Sequence, residues 1–167
     1  MVHGIQEEGV RRKEKGKIAC SCPGTMAQEI KKGEPKVQGA TSGPASSELT
    51  QWPIQLHLIA PYAPYFNECD LLIAADCTAF TLGSFHQDLL KGKKLVIACP
   101  KLDETETYIE KLAELLKNNK IFSLTVAIMT VPCCSGLMHI AQEAVEKSGK
   151  SIAIKKVVIG LDGNIIS

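Results

Sequence analysis

Four stretches of this chain are dominated by apolar side chains in runs rather than in alternation: Leu71–Ala75, Leu95–Ala98, Leu124–Val131 and Ser151–Ile159. A strand with one wet face alternates apolar and polar residues. A continuous run instead suits a strand covered on both faces, as in a parallel sheet. Between the runs the period changes to that of a helix. Ile109, Leu112, Leu115 and Leu116 fall on one stripe, behind a capping-box spacing of Asp103 and Glu106. Leu137, Ile140, Ala141, Ala144 and Val145 form a second stripe, stopped by Gly149. Thr78–Leu90 is a third candidate helix, ending at the Gly92-Lys93-Lys94 turn. Strand–helix–strand units in series imply right-handed crossovers. The expected fold is therefore α/β: an open, mainly parallel sheet with helices on both faces. Asp162-Gly163 reads as a two-residue turn, adding a short C-terminal antiparallel hairpin. The proline-containing segment Trp52–Phe66 offers one more short strand at Gln55–Ile59, then a loop.

The runs begin late in the chain. Residues 1–17 are polar and charged and read as an N-terminal arm. Residues 18–50 hold two cysteines and then a Gly-, Pro-, Ser- and Lys-rich flexible linker. The α/β domain spans residues 51–167. Of the 167 residues, 45% are hydrophobic and 22% charged, enough for a real core. Nineteen Lys and Arg against 18 Asp and Glu leave a net charge of +1, which argues against nucleic-acid binding by phosphate neutralisation. No apolar run is long enough for a membrane helix, and the N-terminus lacks a secretory h-region. The expected partner class therefore excludes nucleic acid and membrane.

Cysteine is the unusual component. The chain has 7, an odd number that full pairing within one chain cannot use. Without an export signal the expected compartment is a reducing cytoplasm, where many thiols serve metal or redox chemistry or act as small buried residues. Their positions are not random. Leu71–Ala75 is followed by Asp76-Cys77, Leu95–Ala98 by Cys99-Pro100, and Leu124–Val131 by Pro132-Cys133-Cys134. In a parallel sheet all these ends share one edge, the edge where open α/β sheets bind ligands beside helix N-termini. Cys77, Cys99, Cys133 and Cys134 are thus site candidates. Cys20 and Cys22, a C-x-C before Pro-Gly, can close over the same edge. Cys69 starts a strand on the opposite edge and reads as structural.

Thiolates suit zinc and iron–sulfur clusters alike. Structural zinc normally uses C-x₂₋₄-C knuckles, which are absent, while Cys22 and Cys99 are each followed by proline, as at many cluster ligands. The expectation is an iron–sulfur cluster, most simply 4Fe-4S, on Cys77, Cys99 and Cys133 or Cys134, closed by Cys20 or Cys22, with Cys22, Cys77, Cys99 and Cys133 the preferred set and zinc the alternative. A third reading makes Cys133 or Cys134 an enzyme nucleophile, with Asp76 and His86 as polar neighbours. Gly149-Lys150-Ser151 precedes a strand, not a helix, and so fails as a phosphate loop. His57 and His139 sit in apolar stretches and read as core or helix-surface residues.

The strings C-P-G-T (Cys22–Thr25), Q-W-P-I-Q-L-H-L (Gln51–Leu58), L-L-I-A-A-D-C (Leu71–Cys77), C-P-K-L-D (Cys99–Asp103) and V-P-C-C-S-G-L (Val131–Leu137) occur in that order. Together they resemble a family of anaerobe proteins, the 4Fe-4S ferredoxin-type iron–sulfur cluster-binding proteins. Members carry an N-terminal C-x₂-C-x₂-C-x₃-C-P module; residues 1–17 here hold no cysteine, so the resemblance covers the companion α/β domain. It implies an electron-transfer or metal-binding protein rather than a catalyst. It also implies that Cys20, Cys22, Cys77, Cys99, Cys133 and Cys134 hold the cofactor. The implied partner is a redox protein, one that itself carries a ferredoxin module.

Overall fold

The computed structural model describes residues 26–31 and 46–167. The arm 1–17, Cys20 and Cys22 lie outside the described residues. Two short strands, β1 (Gln28–Glu29) and β2 (Gln51–Trp52), pair antiparallel. The main sheet contains β3 (Cys69–Ala75), β4 (Lys93–Ala98), β5 (Ile121–Met129) and β6 (Ile154–Ile159), ordered β4-β3-β5-β6 and parallel throughout. The helices are α1 (Thr78–Thr81), α2 (Tyr108–Asn118) and α3 (Ser135–Ser148), with a π-helical turn at His86–Leu90. No helix among the described residues is long and apolar enough to cross a membrane.

The continuous apolar runs have the expected consequence. β3 lies between β4 and β5, and Leu71 to Ala75 are buried without a break. Leu72 stands beside Leu95 on one side and Thr125 on the other. The path of the chain then fixes the layers. From β3 it moves outward to β4, crosses back past β3 to β5, and continues to β6. Right-handed crossovers place the first connection on one face and the next two on the other. Accordingly α2 and α3 pack against each other, burying Leu112, Leu115 and Leu116 from one and Leu137, Ile140 and Ala144 from the other. Connections leave the neighbouring strands β3 and β5 toward opposite faces. That divergence opens a crevice at their C-terminal ends.

Four local expectations are corrected. Thr78–Leu90 is not one helix: Leu82 closes α1 with its N–H on the Thr78 carbonyl and turns extended, and a helix-poor Gly83-Ser84 link precedes the π turn. Gln55–Ile59 is not a strand. Gln55 makes a single parallel bridge to Ile97, and the N–H groups of Leu58 and Ile59 then fold back on the Gln55 carbonyl. The Asp103/Glu106 capping box does not form, because α2 starts at Tyr108 with Thr107 before it and the Asp103 carboxylate is engaged elsewhere. The C-terminal return is a bridge of Ile159 with Ile165 rather than a full strand, turned by Gly163 at φ +84°.

Candidate functional site

Each strand-end cysteine is placed by its own short turn. After β3, the Thr78 hydroxyl donates to the Ala75 carbonyl at 2.7 Å and the Thr81 hydroxyl to the Cys77 carbonyl at 2.9 Å. Cys77 is thus pinned at the head of α1, with its side chain exposed. After β5, Pro132–Cys134 form a single 3-10 turn leading directly into α3. It leaves Cys133 exposed and Cys134 buried. After β4, half-buried Cys99 begins a loop that bends back on itself. Its carbonyl accepts from the N–H groups of Leu102 and Asp103. That loop meets α3 closely: a Cβ on Gly136 would lie 3.2 Å from Pro100 Cβ, so a residue without a side chain lets the two ends approach.

The result is one cavity of about 300 Å³, lined by Cys77, Cys99, Cys133 and Cys134 with Pro100, Met129 and Leu161 as apolar walls. Three strand ends, distant in sequence, supply its thiols. The cavity occupies the crevice between the ends of β3 and β5, widened toward β4. Burial above all pushes the Cys134 thiol up, opposed by the Met129 backbone and reinforced by Cys133 and Cys77 beside it. Among the described residues, no group of three or more His, Cys, Asp or Glu is set to hold a metal ion. Cys69 is at the other end of β3, buried, with its thiol on the Phe66 carbonyl and its pKa pushed up to about 11, chiefly by burial.

Two carboxylates stand at the cavity. Asp76 is one of its lining residues; its Oδ1 is buried and has no hydrogen-bond partner. Burial, then the charge of Asp103, raises its pKa. Asp103 Oδ2 accepts the Cys99 N–H at 2.8 Å and the Tyr108 hydroxyl at 2.8 Å. Tyr108 is fully buried at the first turn of α2, so this bond ties the Cys99 loop to the helix layer. Asp103 and Tyr108 were not among the sequence candidates for the site. The available signal is the four-residue spacing from Cys99 to Asp103, whereas the sequence pattern reads Asp103 with Glu106 as a helix cap. His86 lies apart from the thiols; its Nδ1 accepts the Glu48 N–H at 3.0 Å. His139 pairs with Glu143 on α3, and His57 stacks edge-on to Tyr108.

The family model for the Rossmann-like domain matches residues 63–167, more than half of the chain. The chain belongs to the Rossmann-like domain family. A protein of Archaeoglobus fulgidus described as an uncharacterized protein is 29% identical over 118 residues, covering 71% of this chain and 83% of its own length. No solved structure matches. These matches correct the resemblance drawn from the sequence strings: the family shown is the Rossmann-like domain, and nothing in the matches points to the 4Fe-4S ferredoxin-type family.

In a Rossmann-like domain that binds dinucleotides, the turn after the first sheet strand is rich in glycine and a helix N-terminus faces the pyrophosphate. Here that turn is Asp76-Cys77-Thr78, and α1 has only 4 residues. An acidic side chain stands where a phosphate would need N–H donors. Among the described residues, neither Lys nor Arg lines the cavity. Among the described residues, the cavity presents thiols and a carboxylate at this sheet edge.

Proposed function

We propose that the thiol-lined cavity holds an iron–sulfur cluster and that the domain works in electron transfer. The observation that carries this reading is the convergence of Cys77, Cys99, Cys133 and Cys134 on one cavity from three separate strand ends. Soft thiolates select iron–sulfur centres, zinc and similar ions, and among the described residues the walls hold no Lys or Arg to pair with an anionic ligand such as a nucleotide phosphate. When bound, the cluster supplies one-electron storage. The chain's own residues do the rest. Asp103 holds the Cys99 backbone, Thr78 and Thr81 hold the turn carrying Cys77, and Pro100, Met129 and Leu161 give the cavity its apolar walls.

The ligand set in this reading is Cys77, Cys99 and Cys133 with Cys22. β1 supports the last assignment. It runs antiparallel to β2, with Gln28 beside Trp52, while the chain after β2 runs parallel to β4 and reaches Ile97 at Gln55. Read backward, β1 itself therefore runs in the direction of the cysteine edge of the sheet. Cys22 is four residues from Met26, a reach of up to about 14 Å. A redox partner protein would approach over the same edge, where Cys77 and Cys133 are exposed.

The test is anaerobic purification of the full chain with iron, acid-labile sulfide and zinc assays and a visible spectrum. The expected result is a brown protein containing iron and sulfide, with the colour lost in Cys77→Ser, Cys99→Ser and Cys133→Ser separately. A colourless protein with stoichiometric zinc would replace the cluster by the metal-site reading. A protein without bound metal would remove both.

A further inference from the structure

On the other side of β3 lies a second cavity, of about 340 Å³, that the thiol chemistry does not use. Ala75 and Asp76 line both cavities, so the two stand back to back at the same sheet edge. The walls of the second are apolar: Ile54, Leu95 and Ile97 form its floor, and Phe80 and Phe85 stand beside them. Its volume falls within the range of small-molecule pockets. Two features distinguish it from a packing defect. Phe80 is 93% exposed although it lines the cavity, so a large aromatic side chain waits uncovered at the mouth. His86, also in the wall, has its Nδ1 occupied by the Glu48 N–H at 3.0 Å. An imidazole accepting at Nδ1 carries its hydrogen on Nε2, so half-buried His86 has a donor to offer a ligand in the cavity it lines.

We infer that this cavity binds a small, uncharged, flat aromatic molecule with one hydrogen-bond acceptor, its ring against Phe80 and Phe85 and its acceptor on His86 Nε2. The charge of the ligand follows from the wall: among the described residues it contains no Lys or Arg and does contain Asp76, so an anion gains no partner there and meets repulsion. Flatness follows from the two aromatic side chains, which favour stacked or edge-on rings. This inference does not depend on a metal in the neighbouring cavity.

The test titrates the full chain with 2-acetylnaphthalene, a neutral ketone, and with 2-naphthoate, its near-isosteric anion, following the Phe80, Phe85 and His86 resonances by NMR. The ketone should bind saturably and shift all three residues, with the naphthoate at least about tenfold weaker, the worth of one unfavourable charge placement. His86→Phe keeps an aromatic ring and removes the donor; it should weaken the ketone by about fivefold, the worth of one neutral hydrogen bond. Ala79→Trp, made at an exposed lining position, should block binding. Absence of saturable shifts, equal binding of the naphthoate, or unchanged ketone binding in both variants would each overturn the assignment.

Discussion

Cys99 and Asp103 are bonded to each other in both directions. The Cys99 N–H donates to Asp103 Oδ2 at 2.8 Å, and the Asp103 N–H donates to the Cys99 carbonyl at 2.9 Å. The same Oδ2 accepts the buried Tyr108 hydroxyl. Asp103→Ala should therefore leave the half-buried Cys99 N–H without its acceptor and the Tyr108 phenol with only the longer 3.5 Å contact to Gln55 Oε1, and cost about 2 kcal/mol. Tyr108→Phe should cost about 1 kcal/mol, and Asp103→Asn, which retains an acceptor oxygen, less than Asp103→Ala. Urea denaturation of the three variants checks the ranking.

Asp76 presents the opposite case. Its Oδ1 is buried without a partner, and burial together with Asp103 raises its pKa. A carboxyl with a raised folded pKa stabilises the fold fully below its unfolded pKa and loses that contribution as pH rises through the folded one. In the metal-free protein at neutral pH, Asp76→Asn should therefore be neutral or stabilising by about 1 kcal/mol, against the usual sign for a polar substitution. Thermal melts below the ordinary carboxylate range and at neutral pH should show the gain growing with pH; a clear loss at neutral pH would sink the argument.

Cys69 and the edge cysteines should separate by reactivity. The Cys69 thiol, pushed up from 9.0 to about 11, is buried, whereas Cys77 and Cys133 are exposed. Brief alkylation at pH 8 followed by peptide mass spectrometry should label Cys77 and Cys133 and spare Cys69. Between the unfolded and folded pKa values, the unfolded chain has released this proton and the folded one has not. Stability should consequently fall as pH rises from about 9 to 11, and Cys69→Ala should flatten that fall.

Gly163 occupies a position where a side chain is doubly costly. Its φ is +84°, and a Cβ would stand 2.8 Å from the Thr81 carbonyl oxygen. Gly163→Ala should destabilise by about 1–3 kcal/mol through strain and contact with α1. Gly83→Ala, with nothing within 4 Å, should be close to neutral; the difference in denaturation midpoint between the two variants is the measurement.

The parts of the fold readable in the sequence were those with strong periodicity. Leu71–Ala75 and Leu124–Val131 announced buried strands because both faces are covered. The Leu112/Leu115/Leu116 and Leu137/Ile140/Ala144 stripes announced the two helices that pack on each other. Cys77, Cys99, Cys133 and Cys134 were legible as a group because a parallel sheet gathers strand ends. The π turn at His86–Leu90 was not, because Phe85, Leu89 and Leu90 are spaced as in an ordinary helix and only tertiary packing chooses the wider turn. Asp103 was misread for a related reason: a carboxylate three residues before Glu106 satisfies the capping pattern, and nothing local reveals that Cys99 and Tyr108 claim it first. Strand order, on which the thiol convergence depends, is a long-range property that no local pattern contains.

That strand order also sets a timetable. β3 is made early but its inner neighbour β5 comes after β4 and α2, so Cys77 and Cys99 are synthesised well before the Pro132–Cys134 turn that completes the wall opposite them. On the ribosome, the nascent chain carries Cys77 and Cys99 without the cavity they line until the third strand end emerges and docks. A truncation ending before β5 would retain Cys77 and Cys99 but lack the wall that fixes their mutual geometry. Maturation of this edge is accordingly a late event in the life of each molecule, tied to the closing of the sheet rather than to the making of any one cysteine.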